Sequence, residues 1–393
     1  MTVRSRWLVF AITTPLVVLV AVGGLIGASP DAPLQRGFAH LRVFQDVISL
    51  ITQAYVEEVQ IDPVMDGAMR GLADSLDAES AYLTPAEVKA ADGGDSLGPA
   101  DIGVTIARQF YLRVVGVRDG SPAARAGLRT GDFIRAIDGT PTRDMSAYRG
   151  TRRLAGQAGS TVELLVIRTS AADPHTITLT REAPSDRLVT ARRLDGAAVA
   201  RVHRFTPGTA GALATEIGNL RLTGATPLII DLRNVAGGTA DDAIAAARLF
   251  VKYGPLATRT ERDGVPHPTA PEATDGGLTM PVVLLVSNGT AHAAEIFAAA
   301  LQGNDRATLV GEPTPGLAGE QQLFRLPDGH GLWMTYAQYL KPDGTPIHGA
   351  GLDPDVPMGM PVVDFGEAPP ATDAMLDRAL EVARSGKTGA GER

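Results

Sequence analysis

The spacing of apolar residues changes character three times along this chain. From Phe38, the stretch FAHLRVFQDVISLITQAYV puts Leu41, Phe44, Val47, Ile48, Ile51 and Tyr55 at helical spacing, and PVMDGAMRGLADSL repeats the pattern after Asp62. Residues up to Ala91 are therefore expected to be mostly helical and to serve as packing elements. Beyond Asp92 the runs shorten to IGVTIA, YLRVVGV, TVELLVIR and HTITLTRE, broken by glycine-rich turns, which predicts a small β-rich module. Within it, Pro122 to Ala126 reads as a short helix closed by Gly127. Phe133, Ile134 and Ile137 read as a strand ending at an Asp138-Gly139 turn. From Arg187 the order becomes AAVARVHRF, TAGALATEIGNLRL, TPLIIDLR, TADDAIAAARLFV, PVVLLVS, AHAAEIFAAALQ and ATLVGE. Apolar strands alternating with amphipathic helices predict a parallel or mixed α/β sheet buried on both faces. A last segment, MLDRALEVARSG (Met375 to Gly386), predicts a helix that either docks a partner or caps the core.

Composition refines this picture at a few points. The chain has 393 residues, 44% of them apolar, enough for two or three packed units. A net charge of -8 without a long basic run gives nucleic acid no electrostatic footprint. The absence of cysteine excludes disulfides, thiolate zinc sites and a cysteine nucleophile. The seven histidines include no zinc-binding pair in the core region, so neither a metal nor another cofactor is expected. Arg4 and Arg6 precede an uncharged stretch from Trp7 to Ala28, long enough at about 1.5 Å per residue to cross a bilayer core of roughly 30 Å. Its flanking arginines favour a signal anchor at residues 7–28 with the bulk of the chain in the periplasm or an equivalent extracytoplasmic space. The h-region of a cleaved signal peptide would be shorter, at about 7 to 15 residues. The expected architecture is a mixed α+β and α/β multidomain protein. Its parts are a membrane helix (1–28), a helical segment (29–92), a β-rich module (93–183), an α/β core (184–365) and a C-terminal helix and tail (366–393).

Two loops can carry chemistry. Asp231-Leu-Arg-Asn-Val-Ala-Gly-Gly238 leaves one buried strand and enters a helix, and GTAHAAEIF (Gly289 to Phe297) does the same after the next. In α/β sheets, sites gather where strand ends meet helix starts. Gly237 and Gly238 can present unhindered N–H groups to an oxyanion. His292 stands at a tight turn, where the positive helix end favours a neutral imidazole that could serve as a base. Thr290 or Ser287 would then supply the hydroxyl, and Glu295, one helical turn on, could orient the ring. The competing reading is a histidine that fills a vacated pocket.

The segment GSPAARAGLRTGDFIRAIDG resembles the middle of a PDZ domain. Such domains add a peptide as a strand and hold its terminal carboxylate on backbone amides, here implied for Ile102, Gly103 and Val104. Asp101 stands where that family usually has glycine, and its charge would weaken carboxylate binding. On a larger scale the chain resembles the C-terminal processing (tail-specific) peptidases, a serine protease family. The match is carried by YVEEVQIDPVMDGAMRGLADSLDAESAYLTPAE, LIIDLRNVAGGTADDAIAAARLFV, PVVLLVSNGTAHAAEIFAAALQGNDRATLVGE and MTYAQYLKPDGTPIHGAGLDPDV. The resemblance implies a serine nucleophile at position 292, a lysine base 25 residues on at position 317, and a glutamine four residues further that orients the lysine. The chain has His292, Leu317 and Gln321 there. The N–H groups of Ala293 and of Gly237 or Gly238 would form the oxyanion hole. The implied function is a PDZ-containing pseudopeptidase that binds protein or peptide C-termini, or regulates or scaffolds a partner such as an active peptidase. The alternative is an active serine-type endopeptidase with a rearranged site.

Overall fold

The computed structural model describes residues 33–92, 98–168, 173–222, 226–361, 363–365, 367 and 370–385. The expected anchor at residues 7–28 lies outside them. Among the described residues, no helix is long and apolar enough to cross a membrane. The chain forms two compact units, Met1–Ala68 and Met69–Arg393. The first contributes the helix Pro33–Ala54, whose Leu41, Val43, Val47 and Leu50 are exposed.

The expected helical segment up to Ala91 is mostly helical and carries one short strand that its sequence did not announce. After the helix Ile61–Asp74 the chain turns at Asp77, whose Oδ1 accepts the N–H groups of Glu79 (2.9 Å) and Ser80 (2.7 Å). It then runs as a strand, Ala81–Leu83, buried at all three positions, before the helix Pro85–Asp92. That short strand pairs antiparallel with Gly331–Leu340 in a five-stranded sheet completed by Gly319–Arg325, Ala257–Glu261 and Pro266–Thr269. No apolar alternation announces this sheet, because strands such as Gly319–Arg325 (GEQQLFR) are only partly buried.

The central sheet has the order Val356–Pro357, Ala307–Gly311, Val282–Val286, Leu228–Asp231, Ala197–Val202, Val189–Leu194. Its first five strands are parallel and the last is antiparallel. Successive residues of a strand face opposite sides, so Ile230 and Leu284 meet the helices Thr209–Asn219, Ala240–Ala247 and Ala293–Gly303, together with Phe250 and Phe297. Ile229, Val283 and Leu285 face the other way and are covered by Met375, Leu376, Ala379 and Leu380 of the helix Ala374–Arg384. Each such aliphatic side chain contributes about 1.5 to 3 kcal/mol by leaving water. The C-terminal helix is thus a cap on the core, which decides between the two roles its sequence allowed.

The β-rich module is a separate antiparallel sheet ordered Val104–Gln109, Tyr111–Val117, Phe133–Ile137, Thr161–Ile167, His175–Thr180, with Thr140–Pro141 on the third strand. Ser121 caps the short helix Pro122–Arg125 through its hydroxyl, and Gly127 follows at φ +82°. Asp138 (φ 47°) and Gly139 (φ 71°) form the tight turn expected between strands.

Candidate functional site

The two loops at the ends of strands Leu228–Asp231 and Val282–Val286 come together, as their order predicts. Ser287 Oγ accepts from the N–H groups of Asn234 (3.1 Å) and Gly289 (3.2 Å). Thr290 Oγ1 accepts from Ser287 N–H and donates to Leu232 O, both at 2.9 Å. Both hydroxyl oxygens are engaged in holding the turn rather than turned toward the His292 ring. The turn delivers His292 to the start of helix Ala293–Gly303 at φ 56° and ψ −120°. A non-glycine residue there costs on the order of 1–3 kcal/mol, the kind of strain stored at a strand–turn–helix elbow that displays a side chain.

What is displayed is a ring with both nitrogens engaged. Nε2 lies 2.7 Å from Glu79 Oε1, and Nδ1 accepts the N–H of Gly237 at 3.2 Å. The other carboxylate oxygen, Glu79 Oε2, accepts from Gln321 Nε2 at 3.0 Å, and the same amide reaches Thr335 Oγ1 at 3.3 Å. Glu79 is therefore the ring's partner. Glu295, proposed from sequence for that role, points elsewhere: it is fully buried and accepts from Thr314 Oγ1 (2.5 Å) and from the N–H groups of Gly316 and Leu317 (both 2.7 Å). Burial raises the Glu295 pKa against those hydrogen bonds, and its task is to hold the 314–317 loop.

The expectation of a ring kept neutral by the helix end also changes. Burial disfavours the imidazolium, but the charge and hydrogen bond of Glu79 outweigh it, so the His292 pKa is raised. The Gly237 N–H acts in the opposite sense, because it needs a lone pair on Nδ1 and so selects the neutral ring protonated on Nε2. Acidification that protonates Nδ1 must break the Gly237 bond. In the neutral form no lone pair is left to accept a proton from a nucleophile.

Gly237 is thereby removed as an oxyanion donor. Gly238, at φ +83°, has room for no side chain, since a Cβ would sit 2.6 Å from that of Phe205. The N–H of Ala293 has no partner among the described residues. Leu317 is 8% exposed and packs with Ala107, Val115 and Ala291 in an apolar cluster, so nothing basic stands at its position. Sequence reasoning missed Glu79 and Thr335. Glu79 lies in the segment DAESAYLTPAE that carried part of the resemblance, yet nothing in that segment marked its carboxylate.

Known proteins match this chain in sequence and fold. The pattern of "Peptidase family S41" matches residues 196–358, and that of the "PDZ domain" matches residues 113–168. A carboxyl-terminal-processing protease of Synechocystis sp. is 35% identical over 280 residues, covering 70% of this chain and 65% of that protein. A carboxy-terminal-processing protease of Bartonella bacilliformis is 30% identical over 341 residues, covering 84% and 77%. The chain belongs to peptidase family S41. Among solved structures, the photosystem II D1 C-terminal processing protease superposes with a TM-score of 0.67 at 27% identity, covering 80% of this chain and 86% of its own.

In this S41 chain the PDZ module sits directly on the two loops. Thr130 Oγ1 lies 2.8 Å from Val115 O and 2.9 Å from Asn234 Oδ1, and Arg113 Nη2 donates to Asn288 Oδ1 at 3.1 Å. A Cβ on Gly116 would meet that of Ala236 at 2.8 Å, so glycine permits the close approach. Asp119 of the module pairs with Arg201 (2.7 Å) and His203 (3.1 Å) of the core, and the hydrogen bonds from both together with the charge of Arg201 hold its carboxyl far below the usual range despite burial. The first PDZ strand is pinned in turn, with Arg108 N–H donating to Ala78 O at 2.9 Å beside Glu79. In the loop before that strand, Ile102 is buried and its carbonyl accepts from Ala123 N–H (2.9 Å), Gly103 O accepts from Arg118 N–H (2.8 Å), and Val104 opens the strand.

Proposed function

We propose that this S41 protein is a non-hydrolytic family member, a pseudopeptidase that holds polypeptide segments or regulates a partner rather than cutting a chain. One observation carries the reading: His292 stands at the displayed elbow with Nδ1 on Gly237 and Nε2 on Glu79. Acyl transfer needs a nucleophile, a base with a free lone pair and donors for the oxyanion. The geometry supports neither the nucleophile nor the base, since Ser287 and Thr290 are tied into the turn and Leu317 is apolar, and of the oxyanion donors it engages Gly237 and leaves the N–H of Ala293. Loss of the nucleophile alone costs a serine protease roughly a millionfold in turnover.

The uncharged stretch from Trp7 to Ala28 behind Arg4 and Arg6 supports a membrane-anchored protein with its bulk outside the cytoplasm. Incubation of the purified full chain with unfolded protein and apolar-ended peptides, followed by mass spectrometry, tests the central reading. No cleavage above a buffer control is expected. Cleavage abolished by His292→Ala would mean an active enzyme with a rearranged site.

A further inference from the structure

The loop before the first PDZ strand holds an anion that belongs to the chain itself. Gly103, at φ +83° with Ser121 only 2.1 Å from where a Cβ would stand, turns its N–H onto Asp101 Oδ1 at 2.8 Å. Arg118 closes on the same carboxylate, with Nη2 2.5 Å from Oδ1 and Nη1 3.2 Å from Oδ2. A backbone N–H and a guanidinium converging on one carboxylate are what an anion site at a chain terminus requires. Two antiparallel bonds fix Asp101 in place, Asp101 N–H to Glu182 O at 3.1 Å and Glu182 N–H to Asp101 O at 2.9 Å. Its carboxylate is thus presented to Gly103 by a braced backbone rather than by a free loop.

We propose that Asp101 is the resident anion of this loop and the residue that removes free-C-terminus recognition from the module. An incoming terminal carboxylate finds the Gly103 N–H and Arg118 occupied and meets a like charge. Any peptide added along Val104–Ala107, short of the Arg108 N–H already given to Ala78 O, is therefore held by its backbone and side chains, and its terminal charge is not read. The inference rests on the polypeptide-binding part of the proposed function. It does not depend on whether the S41 site cuts, so cleavage in the assay above would overturn that reading and leave this one standing.

The test uses the full chain in detergent and labelled peptides with apolar ends, each made with a free carboxylate and as the C-terminal amide, read by fluorescence anisotropy. The native protein is expected to bind the two forms equally, or neither. Asp101→Gly, which frees both donors, is expected to favour the free carboxylate by about tenfold, the ratio for roughly one charge-assisted hydrogen bond. Asp101→Asn keeps an acceptor for Gly103 but drops the charge, and should give a smaller preference of the same sign. It also carries the test if the glycine variant loses its native circular dichroism. A native protein that already prefers the free carboxylate tenfold overturns the proposal, as does a folded variant with no preference.

Discussion

The elbow at His292 and the loop at Gly103 have the same defect, built with different strength. In each, a backbone N–H that could bind a ligand oxygen is taken by a side chain of the same chain: Gly237 by His292 Nδ1, and Gly103 by Asp101 Oδ1. At the elbow the occupant is 15% exposed in its side chain, strained in its backbone and held on its far side by Glu79, itself held by Gln321. At the PDZ loop the occupant's side chain is 37% exposed and pairs with a single arginine. Burial and the number of partners decide how hard each plug is to withdraw. The elbow is a closed network, whereas the loop is one substitution away from being open.

The largest expected effect comes from forcing a base back into the elbow. Leu317→Lys places an ammonium in the cluster of Ala107, Val115 and Ala291, and an uncompensated buried charge costs about 3 kcal/mol or more. Urea denaturation of the variant would show it, and an unchanged midpoint would mean that the Leu317 site is open to water. Glu79→Ala comes next. It strands His292 Nε2–H and leaves the Gln321 amide with Thr335 Oγ1 alone, for a loss of about 2 kcal/mol in the same measurement.

The histidine also gives a signed dependence on pH. Its folded pKa is raised, so its contribution to stability is fully present below the unfolded value of about 6.5 and is lost as pH rises through the folded pKa. In Glu79→Gln burial prevails and the folded pKa drops below the unfolded one, which reverses the sign of that slope. NMR titration of the ring in the two proteins checks this. The smallest effect belongs to the exposed plug: Asp101→Gly should cost about 1 kcal/mol or less, because partly exposed ion pairs contribute little. A larger loss would erase the contrast between the two regions.

Much of the α/β core was legible because its strands are apolar on both faces and its helices amphipathic. The observed Leu228–Asp231 and Val282–Val286 lie within the segments LIIDLR and PVVLLVS, and Ala293–Gly303 overruns AHAAEIFAAALQ by one residue. The five-stranded sheet was not legible. Ala81–Leu83 is too short to show alternation, and Gly319–Arg325 is half polar because pairing with Gly331–Leu340 is what makes it a strand. The candidate site divides the same way. Position 292 and the glycines of the first loop could be placed from local pattern, since strand–turn–helix connections have a sequence signature. The contact that defines the site could not, because Glu79 and His292 lie 213 residues apart and meet only through the Asp77 turn and the Ala81–Leu83 strand. Asp101 was readable as a charge in the wrong place, but not as a ligand already bound.

The central claim, that His292 closes the elbow with both nitrogens, is tested most directly by 15N NMR of histidine-labelled protein on the alkaline side of the ring's own titration. The account predicts the Nε2–H tautomer for His292, with a hydrogen-bond coupling between its Nδ1 and the Gly237 amide. A ring protonated on Nδ1, or a Gly237 amide with no coupling to it, would contradict the account and return a free base to the elbow.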